Sequence, residues 1–171
     1  MKVLITAASK YGSTTEIADA IAETLRSDGL EPTVVPAEKA GDVGAFDAVV
    51  VGSAVYGGYW LGSARNFVES NQEALAARPV WLFSSGPIGD PLRPDGLPQD
   101  AAEIGLLAGA RGHEVFAGVL NLERVEPDER LMMIERHVRP GDFRNWAKIR
   151  AWATEIASAL KAKASEPARR A

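Results

Sequence analysis

A dense group of hydroxyl side chains stands directly after the first apolar run of the chain. Residues 9–15 read "SKYGSTT" and carry five hydroxyl groups, one lysine and one glycine. The amide groups at a helix N-terminus have no partners within the helix and carry a partial positive charge, which favours a phosphate group. Glycine at position 12 lets the backbone bend close to such a ligand. A plain helix cap made by Ser13 or Thr14 explains the hydroxyl groups equally well.

Two later segments, "SAVYGGYW" and "SSGPIG", combine glycine with aromatic residues or proline. Glycine lets a backbone approach the edge of a flat ring, and an aromatic side chain can cover its face. Trp60 is predicted to cover the ring, with Tyr59 as second choice, while Tyr56 offers its backbone to the ring edge. The alternative is that Trp60 and Tyr59 pack under the next helix. Together with the hydroxyl-rich loop, these segments predict a flat heterocycle that carries a phosphate.

The elements that position these loops alternate along the chain. Short apolar runs typical of buried strands cover five segments: 2–7, 32–37, 46–54, 79–85 and 114–120. Residues with helical spacing follow most of them, and one predicted helix begins near Asp100 and ends at Gly112. Such alternation favours an α/β fold with a parallel sheet, whose ligands bind at the carboxyl ends of the strands. The loops after the first, third and fourth strands are the three segments described above.

Composition limits the class of protein. The chain has 171 residues, of which 46% are hydrophobic and 25% charged, with a net charge of −4 and no cysteine. These values favour one ordinary globular domain, predicted over residues 1–163, with a frayed tail at 164–171. They argue against a nucleic-acid binder and exclude thiolate metal sites. With two distant histidines, of which His113 is expected to face solvent, no metal site is predicted. The N-terminus lacks the pattern of a secretory signal, so a cytoplasmic location is expected.

The pattern of the three loops resembles the flavodoxin family, over residues 2 to about 162. That resemblance implies a flavodoxin-like three-layer sandwich, whose five-stranded parallel sheet has the order 2-1-3-4-5 with helices on both faces. It also implies FMN as the cofactor. The matching positions of the phosphate loop are Ser9, Lys10, Tyr11, Gly12, Ser13 and Thr14. Those of the two ring loops are Ala54, Val55, Tyr56, Gly57, Gly58, Tyr59 and Trp60, then Ser84, Ser85, Gly86, Pro87 and Gly89.

Within that family the chain is most similar to the menaquinone-dependent protoporphyrinogen dehydrogenases, through "YGSTTEIA", "VVVGSAVYGGYW" and "DFRNWAKIRAWATEIA". In those enzymes, as the resemblance implies, an aromatic and basic insertion after the fifth strand meets membrane and quinone. Residues 121–141 stand there in this chain, without an aromatic residue and with mixed charges. Their apolar cluster, 131–134, covers the flavin, touches a membrane surface, or packs as a small helix on the domain edge, and the last is favoured.

Three functions follow from the resemblance. The first is an FMN-dependent oxidoreductase similar to protoporphyrinogen dehydrogenase, with a small-molecule substrate and a quinone. The second is a non-catalytic electron carrier that docks on redox partner proteins. The third is a quinone or flavin reductase with a nicotinamide donor. Since the flavin does the electron chemistry, no catalytic side chain is predicted. No transmembrane segment is predicted, peripheral membrane contact is left open, and the oligomeric state is left unspecified.

Overall fold

A computed structural model of the chain describes residues 1–89 and 91–165. Five parallel strands form the main sheet, in the order β2-β1-β3-β5-β6, and a short strand, β4, pairs antiparallel with β3. The strands are β1 (Lys2–Ala8), β2 (Glu31–Pro36), β3 (Ala48–Tyr56), β4 (Tyr59–Trp60), β5 (Val80–Ser85), β6 (Gly112–Phe116), β7 (Val119–Leu120) and β8 (Gly141–Asp142). When only the five parallel strands are numbered, β5 and β6 become the fourth and fifth, and the order is the predicted 2-1-3-4-5. The predicted α/β fold is therefore confirmed.

Helices cover both faces of this sheet. They are α1 (Ser13–Ser27), α2 (Gly62–Ser70), α3 (Gln72–Ala76), α4 (Ala101–Ala108), α5 (Pro127–Glu135) and α6 (Trp146–Ser165). One core cluster joins α1 and α6 to the sheet, and the other joins α2, α3 and α4 to its opposite face. The strands read as continuous apolar runs because both of their faces are buried. Helix α1 instead repeats Ile17, Ile21 and Leu25 at helical spacing, because only one side of it is covered.

Two predicted boundaries are wrong. The fifth parallel strand ends at Phe116 rather than at residue 120, because its neighbour β5 ends at Ser85, the partner of Phe116. Beyond that point the chain has no parallel neighbour, and Val119–Leu120 pairs antiparallel with Gly141–Asp142 instead. Helix α4 ends at Ala108, well before Gly112, because Gly109 adopts the left-handed conformation (φ 58°) that commonly closes a helix.

The variable segment at residues 121–141 contains helix α5, which has no buried residue. Of the predicted tail at 164–171, the first two residues belong to α6, and residues 166–171 lie outside the described residues. Within the part of the chain that the structure describes, no helix is both long and apolar enough to cross a membrane.

Candidate functional site

The three predicted loops lie at one edge of the sheet and contact one another. The rings of Tyr11, in the first loop, and Tyr56, in the second, meet edge to face with centroids 6.5 Å apart. A Cβ placed on Gly86, in the third loop, would lie 3.1 Å from Cβ of Val55, in the second. This distance is shorter than most Cβ contacts, so a larger residue at position 86 would need Val55 to shift by a few tenths of an ångström. The sequence therefore predicted correctly which segments meet.

The first loop has the features of an anion cradle. Gly12 has φ 91°, a conformation that favours glycine, and its N–H donates to Ser9 Oγ over 2.9 Å. Gly12 is also the N-cap of α1, and no side chain caps this helix. The alternative of a cap by Ser13 or Thr14 is therefore wrong, and the hydroxyl groups of these two residues are left for another role.

Thr14 is the most informative residue of this loop. Its side chain is completely buried, and its Oγ1 has no hydrogen-bond partner among the described residues, a property shared there only with Thr6 of β1. Burying a hydroxyl group without a partner costs about 1–3 kcal/mol. An oxygen-rich anion at the N-terminus of α1 would supply that partner. The donors present in this loop therefore fit the phosphate of FMN.

Lys10 and Tyr11 are engaged by helix α5. The Lys10 ammonium and the Tyr11 hydroxyl each donate to one carboxylate oxygen of Glu129, and the N–H of Glu126 donates to the Tyr11 hydroxyl over 3.2 Å. The hydrogen bonds from Lys10 and Tyr11 hold the pKa of Glu129 below its usual range, and the bond to Glu129 raises the pKa of Lys10. Sequence reasoning missed Glu129, because nothing in its neighbourhood marks it as different from the other acids of the segment.

The second loop is a tight hairpin. Gly57 and Gly58 both have positive φ, 60° and 89°, and connect β3 to β4. Tyr56 is paired with Tyr59, and Val55 with Trp60, so each pair projects from one side of the hairpin. The first pair is exposed, at 38% for Tyr56 and 46% for Tyr59.

Trp60 lies in the core rather than over a ligand site. It is 4% exposed, packs in the cluster that joins α2 and α4 to the sheet, and donates from Nε1 to Ser84 Oγ over 2.8 Å. The prediction that Trp60 covers a ring is corrected here, because neither face of its indole is available. The missed signal was the Gly-Gly pair between two short β-like segments, which is typical of a two-residue hairpin.

Polar contacts hold the hairpin against the start of α4. The Trp60 N–H donates to the buried Asp100 carboxylate over 3.1 Å, and Arg65 pairs with the same carboxylate. The Tyr59 hydroxyl donates to Gln99 Oε1 over 2.8 Å. The Leu61 N–H donates to Ser53 Oγ over 2.9 Å. The sequence placed Asp100 near the start of a helix, where it lies, but its side chain holds the hairpin and does not cap α4.

His113 does not face solvent as predicted, because the last parallel strand begins at Gly112 and carries the imidazole inward. Ser84 Oγ lies 2.7 Å from His113 Nε2, and the His113 ring meets the Trp60 ring edge to face at 5.6 Å. Ser84 Oγ accepts from Trp60 Nε1, and the direction of its bond with His113 depends on the tautomer of the imidazole. Burial lowers the pKa of His113 to about 4, although Glu114 and Asp100 act in the opposite direction.

The third loop is fixed by backbone contacts. The Gly86 N–H donates to the Phe116 carbonyl over 3.2 Å, and the Gly118 N–H donates to the Pro87 carbonyl over 2.8 Å. Ser84 and Ser85 are buried, at 0% and 3% exposure, and the Ser84 hydroxyl group already has two hydrogen-bond partners. The predicted contribution of Ser84 to cofactor binding is corrected accordingly, since its hydroxyl group serves Trp60 and His113.

A cavity of about 200 Å³ lies between the first loop and the segment after β7, with Tyr56 in its wall. Its lining residues are Tyr11, Ser13, Glu16, Tyr56, Val119, Asn121, Arg124, Val125 and Arg144. Burial raises the pKa of Tyr56 to about 12, so its ring is neutral at physiological pH. A larger depression, about 560 Å³, lies around Lys2 and Phe46 at the opposite edge of the sheet, away from all three loops.

Arg144, which sequence reasoning also missed, fastens the start of α6 to the start of α1. It pairs with Asp142 and Glu16 and donates to the Ser13 carbonyl over 3.3 Å. The hydrogen bonds to Asp142, and then to Glu16, raise the pKa of the Arg144 guanidinium. Arg144 thereby fixes the helix end that forms the cradle.

Comparison with solved structures supports the fold. The chain is similar to the rubredoxin oxygen:oxidoreductase of Desulfovibrio gigas, with 18% identity and a TM-score of 0.65 over 96% of this chain and 37% of that one. It is similar to a flavodoxin from the domain Archaea, with 16% identity and a TM-score of 0.63 over 94% and 99% of the two chains. It is also similar to a flavodoxin from Streptococcus pneumoniae, with 21% identity and a TM-score of 0.61 over 95% of this chain and 99% of that one.

These identities are low, so the likeness concerns the fold, and the chain spans little more than a third of the Desulfovibrio oxidoreductase. No curated protein matches the sequence. The flavodoxin domain family matches residues 4–138, which include all three loops and most of the variable segment. With the strand order and the loops in their expected places, the chain belongs to the flavodoxin domain family.

Proposed function

We propose that this chain binds FMN and carries electrons between partner proteins, as flavodoxin-type carriers do. The observation that supports this most directly is the buried Thr14 hydroxyl, which has no partner in residues 1–89 and 91–165 and lies in a glycine-bent loop at the N-terminus of α1. The loop supplies backbone amides and hydroxyl groups to a phosphate, where the helix end adds partial positive charge. FMN supplies the electron transfer, and the protein supplies binding, orientation and electrostatics.

Tyr56 is the side chain proposed to lie against the isoalloxazine ring, in place of Trp60. Its side chain is partly exposed, and its ring contacts the ring of Tyr11 in the phosphate loop. Its neighbour in the chain, Val55, lies next to Gly86 of the third loop. An aromatic ring in this position covers a flat heterocycle and excludes water from it. Gly57 and Gly58 then serve the hairpin turn, in which Gly57 is exposed and the Gly58 carbonyl accepts from the Gln99 N–H.

An oxidoreductase similar to the protoporphyrinogen dehydrogenases is the second candidate. The cavity of about 200 Å³ beside Tyr56 favours it, because a carrier needs only an exposed flavin edge. Its lining residue Arg124 is exposed and makes no ion pair among the described residues, so it is available to a carboxylate of a substrate. The carrier is preferred because solved structures that match this chain over nearly their whole length are flavodoxins.

The test begins with FMN titration of the purified protein, followed by flavin fluorescence. The loaded protein is then reduced under anaerobic conditions and mixed with oxidised cytochrome c, in parallel with turnover assays on protoporphyrinogen plus menaquinone and on NADPH. We expect rapid electron transfer to the protein acceptor and no steady turnover of the small molecules. Steady oxidation of protoporphyrinogen would establish the second candidate, and failure to bind FMN would contradict both.

A further inference from the structure

Helix α5 is bound to the phosphate loop by hydrogen bonds and an ion pair. None of its residues is buried, and it belongs to neither core cluster. Across residues 1–89 and 91–165, the contacts of α5 and its N-cap with the rest of the fold by hydrogen bond or ion pair are those of Glu129 and Glu126 with Lys10 and Tyr11. A helix held by a few polar contacts and no apolar burial has low local stability.

The Glu129 carboxylate binds Lys10 and Tyr11 in the way that an anionic ligand would. One of its oxygens accepts from the Lys10 ammonium and the other from the Tyr11 hydroxyl, so both side-chain donors are used. The same ammonium lies 5.0 Å and 5.4 Å from the ring centroids of Tyr11 and Tyr56, so it lies between the first and second loops. A phosphate in the cradle would compete for these donors, and its charge would repel the carboxylate.

We propose that Glu129 is a built-in competitor of the cofactor phosphate, and that FMN binding displaces it and releases α5 from the phosphate loop. This inference rests on the proposed FMN site. The affinity of a ligand falls in proportion to the fraction of the protein that is competent to bind it, and contact with Glu129 reduces that fraction. Glu129 therefore sets how tightly the loop holds FMN, and FMN in turn controls whether α5 is ordered.

Glu129→Gln removes the charge and nearly preserves the shape of the side chain. We expect this variant to bind FMN about fivefold more tightly than the natural protein, as expected for loss of a partly exposed charge pair. Its affinity for riboflavin, which lacks the phosphate, should not change. Glu135→Gln is the matched control, because it removes the same charge from the exposed face of the same helix without touching the loop.

Hydrogen exchange gives a second measurement that needs no activity. Addition of FMN, or of inorganic phosphate alone, should speed exchange of the α5 amides in the natural protein and leave the strands unchanged. In Glu129→Gln the α5 amides should exchange fast from the start. The phosphate experiment tests the competition even if FMN does not bind, which separates failure of this inference from failure of the proposed function.

The opposite results would overturn the proposal. Weaker FMN binding by Glu129→Gln would mean that α5 closes over the cofactor and retains it. Equal FMN affinity in Glu129→Gln and the natural protein would mean that the contact is a surface ion pair without effect on the site. Slower α5 exchange on addition of phosphate would likewise show that the anion and Glu129 do not compete.

Discussion

The phosphate loop and the glycine hairpin look alike in sequence but differ in how their polar groups are satisfied. In the hairpin, Asp100, Gln99 and Ser53 accept hydrogen bonds from its backbone or side chains, and the Trp60 indole is bound to Ser84. In the phosphate loop, the buried hydroxyl of Thr14 has no partner among the described residues. The polar contacts of the hairpin stabilise the fold, whereas the Thr14 hydroxyl at the N-terminus of α1 is left for a ligand to satisfy.

Trp60→Ala should give the largest effect on stability. Removal of a buried aromatic side chain costs about 3–5 kcal/mol in free energy of unfolding, because it leaves a cavity. Urea unfolding followed by circular dichroism measures this. Trp60→Phe, which keeps most of the apolar volume and loses the bond to Ser84, should cost far less. If Trp60→Ala kept normal stability and lost FMN, Trp60 would belong to the ring site and the contrast between the two loops would fail.

A fall in pH should lower the free energy of unfolding through protonation of His113, whose ring contacts Trp60 of the hairpin. Its pKa is about 4 in the folded protein and about 6.5 when unfolded, so the unfolded chain binds the extra proton between these values. Stability is then complete above about pH 6.5 and falls as the pH drops towards 4, by about 2 kcal/mol once partial exposure of the ring is taken into account.

Unfolding experiments from pH 7.5 to pH 4 measure that loss, with His113→Gln as the comparison. The variant keeps an amide group that can either donate to Ser84 or accept from it, and lacks the titrating group, so its stability should depend less on pH. An identical pH dependence in both proteins would show that His113 titrates normally and lies in contact with solvent.

Thr14→Val, in the phosphate loop, should weaken FMN binding and spare the stability of the fold, which is the opposite of the result expected for Trp60→Ala. Valine has nearly the same shape and removes an unsatisfied hydroxyl, so the free energy of unfolding without cofactor should stay the same or rise. FMN affinity should fall about tenfold, since one hydrogen bond to a charged group contributes about 1.5–3 kcal/mol. Thermal unfolding and fluorescence titration measure the two quantities. A loss of stability with unchanged FMN affinity would make Thr14 a structural residue.

Tyr56→Leu should give the smallest effect. Aromatic stacking contributes about 0.5–1.5 kcal/mol beyond burial, so FMN affinity should fall several-fold, and riboflavin affinity by the same factor. Tyr59→Leu is the control, because its side chain projects from the same side of the hairpin and is bound to Gln99. Equal effects of the two changes on flavin affinity would show that Tyr56 has no special place at the ring.

The distinct periodicities of buried strands and helices were sufficient to predict a parallel sheet and the meeting of the three loops, whereas the order of the strands was implied by the resemblance to flavodoxins. The sequence was not sufficient to orient the side chains at the hairpin. Val55 and Trp60 are cross-strand partners only because the chain reverses at Gly57 and Gly58. An aromatic residue after two glycines looks exposed until that reversal is recognised.

The contacts of the variable segment could not be predicted at all. Glu129 reaches Tyr11 across 118 positions of the chain, and the segment between residues 121 and 141 has no periodic pattern that would fix its orientation. Its placement depends on a few polar contacts, which leave no trace in hydropathy. The cap expected from Ser13 or Thr14 failed for a related reason, since local sequence does not tell a cap from a ligand-binding hydroxyl.

The contrast between the two loops depends on one claim, that the hydroxyl-rich loop binds the phosphate of FMN. Titration of the purified protein with FMN and with riboflavin tests it directly, because the two ligands share the ring and differ only in the phosphate. We expect FMN to bind at one site per chain and at least tenfold more tightly than riboflavin, given charge-assisted hydrogen bonds of about 1.5–3 kcal/mol each. Equal affinity for the two flavins would contradict the assignment of the phosphate loop.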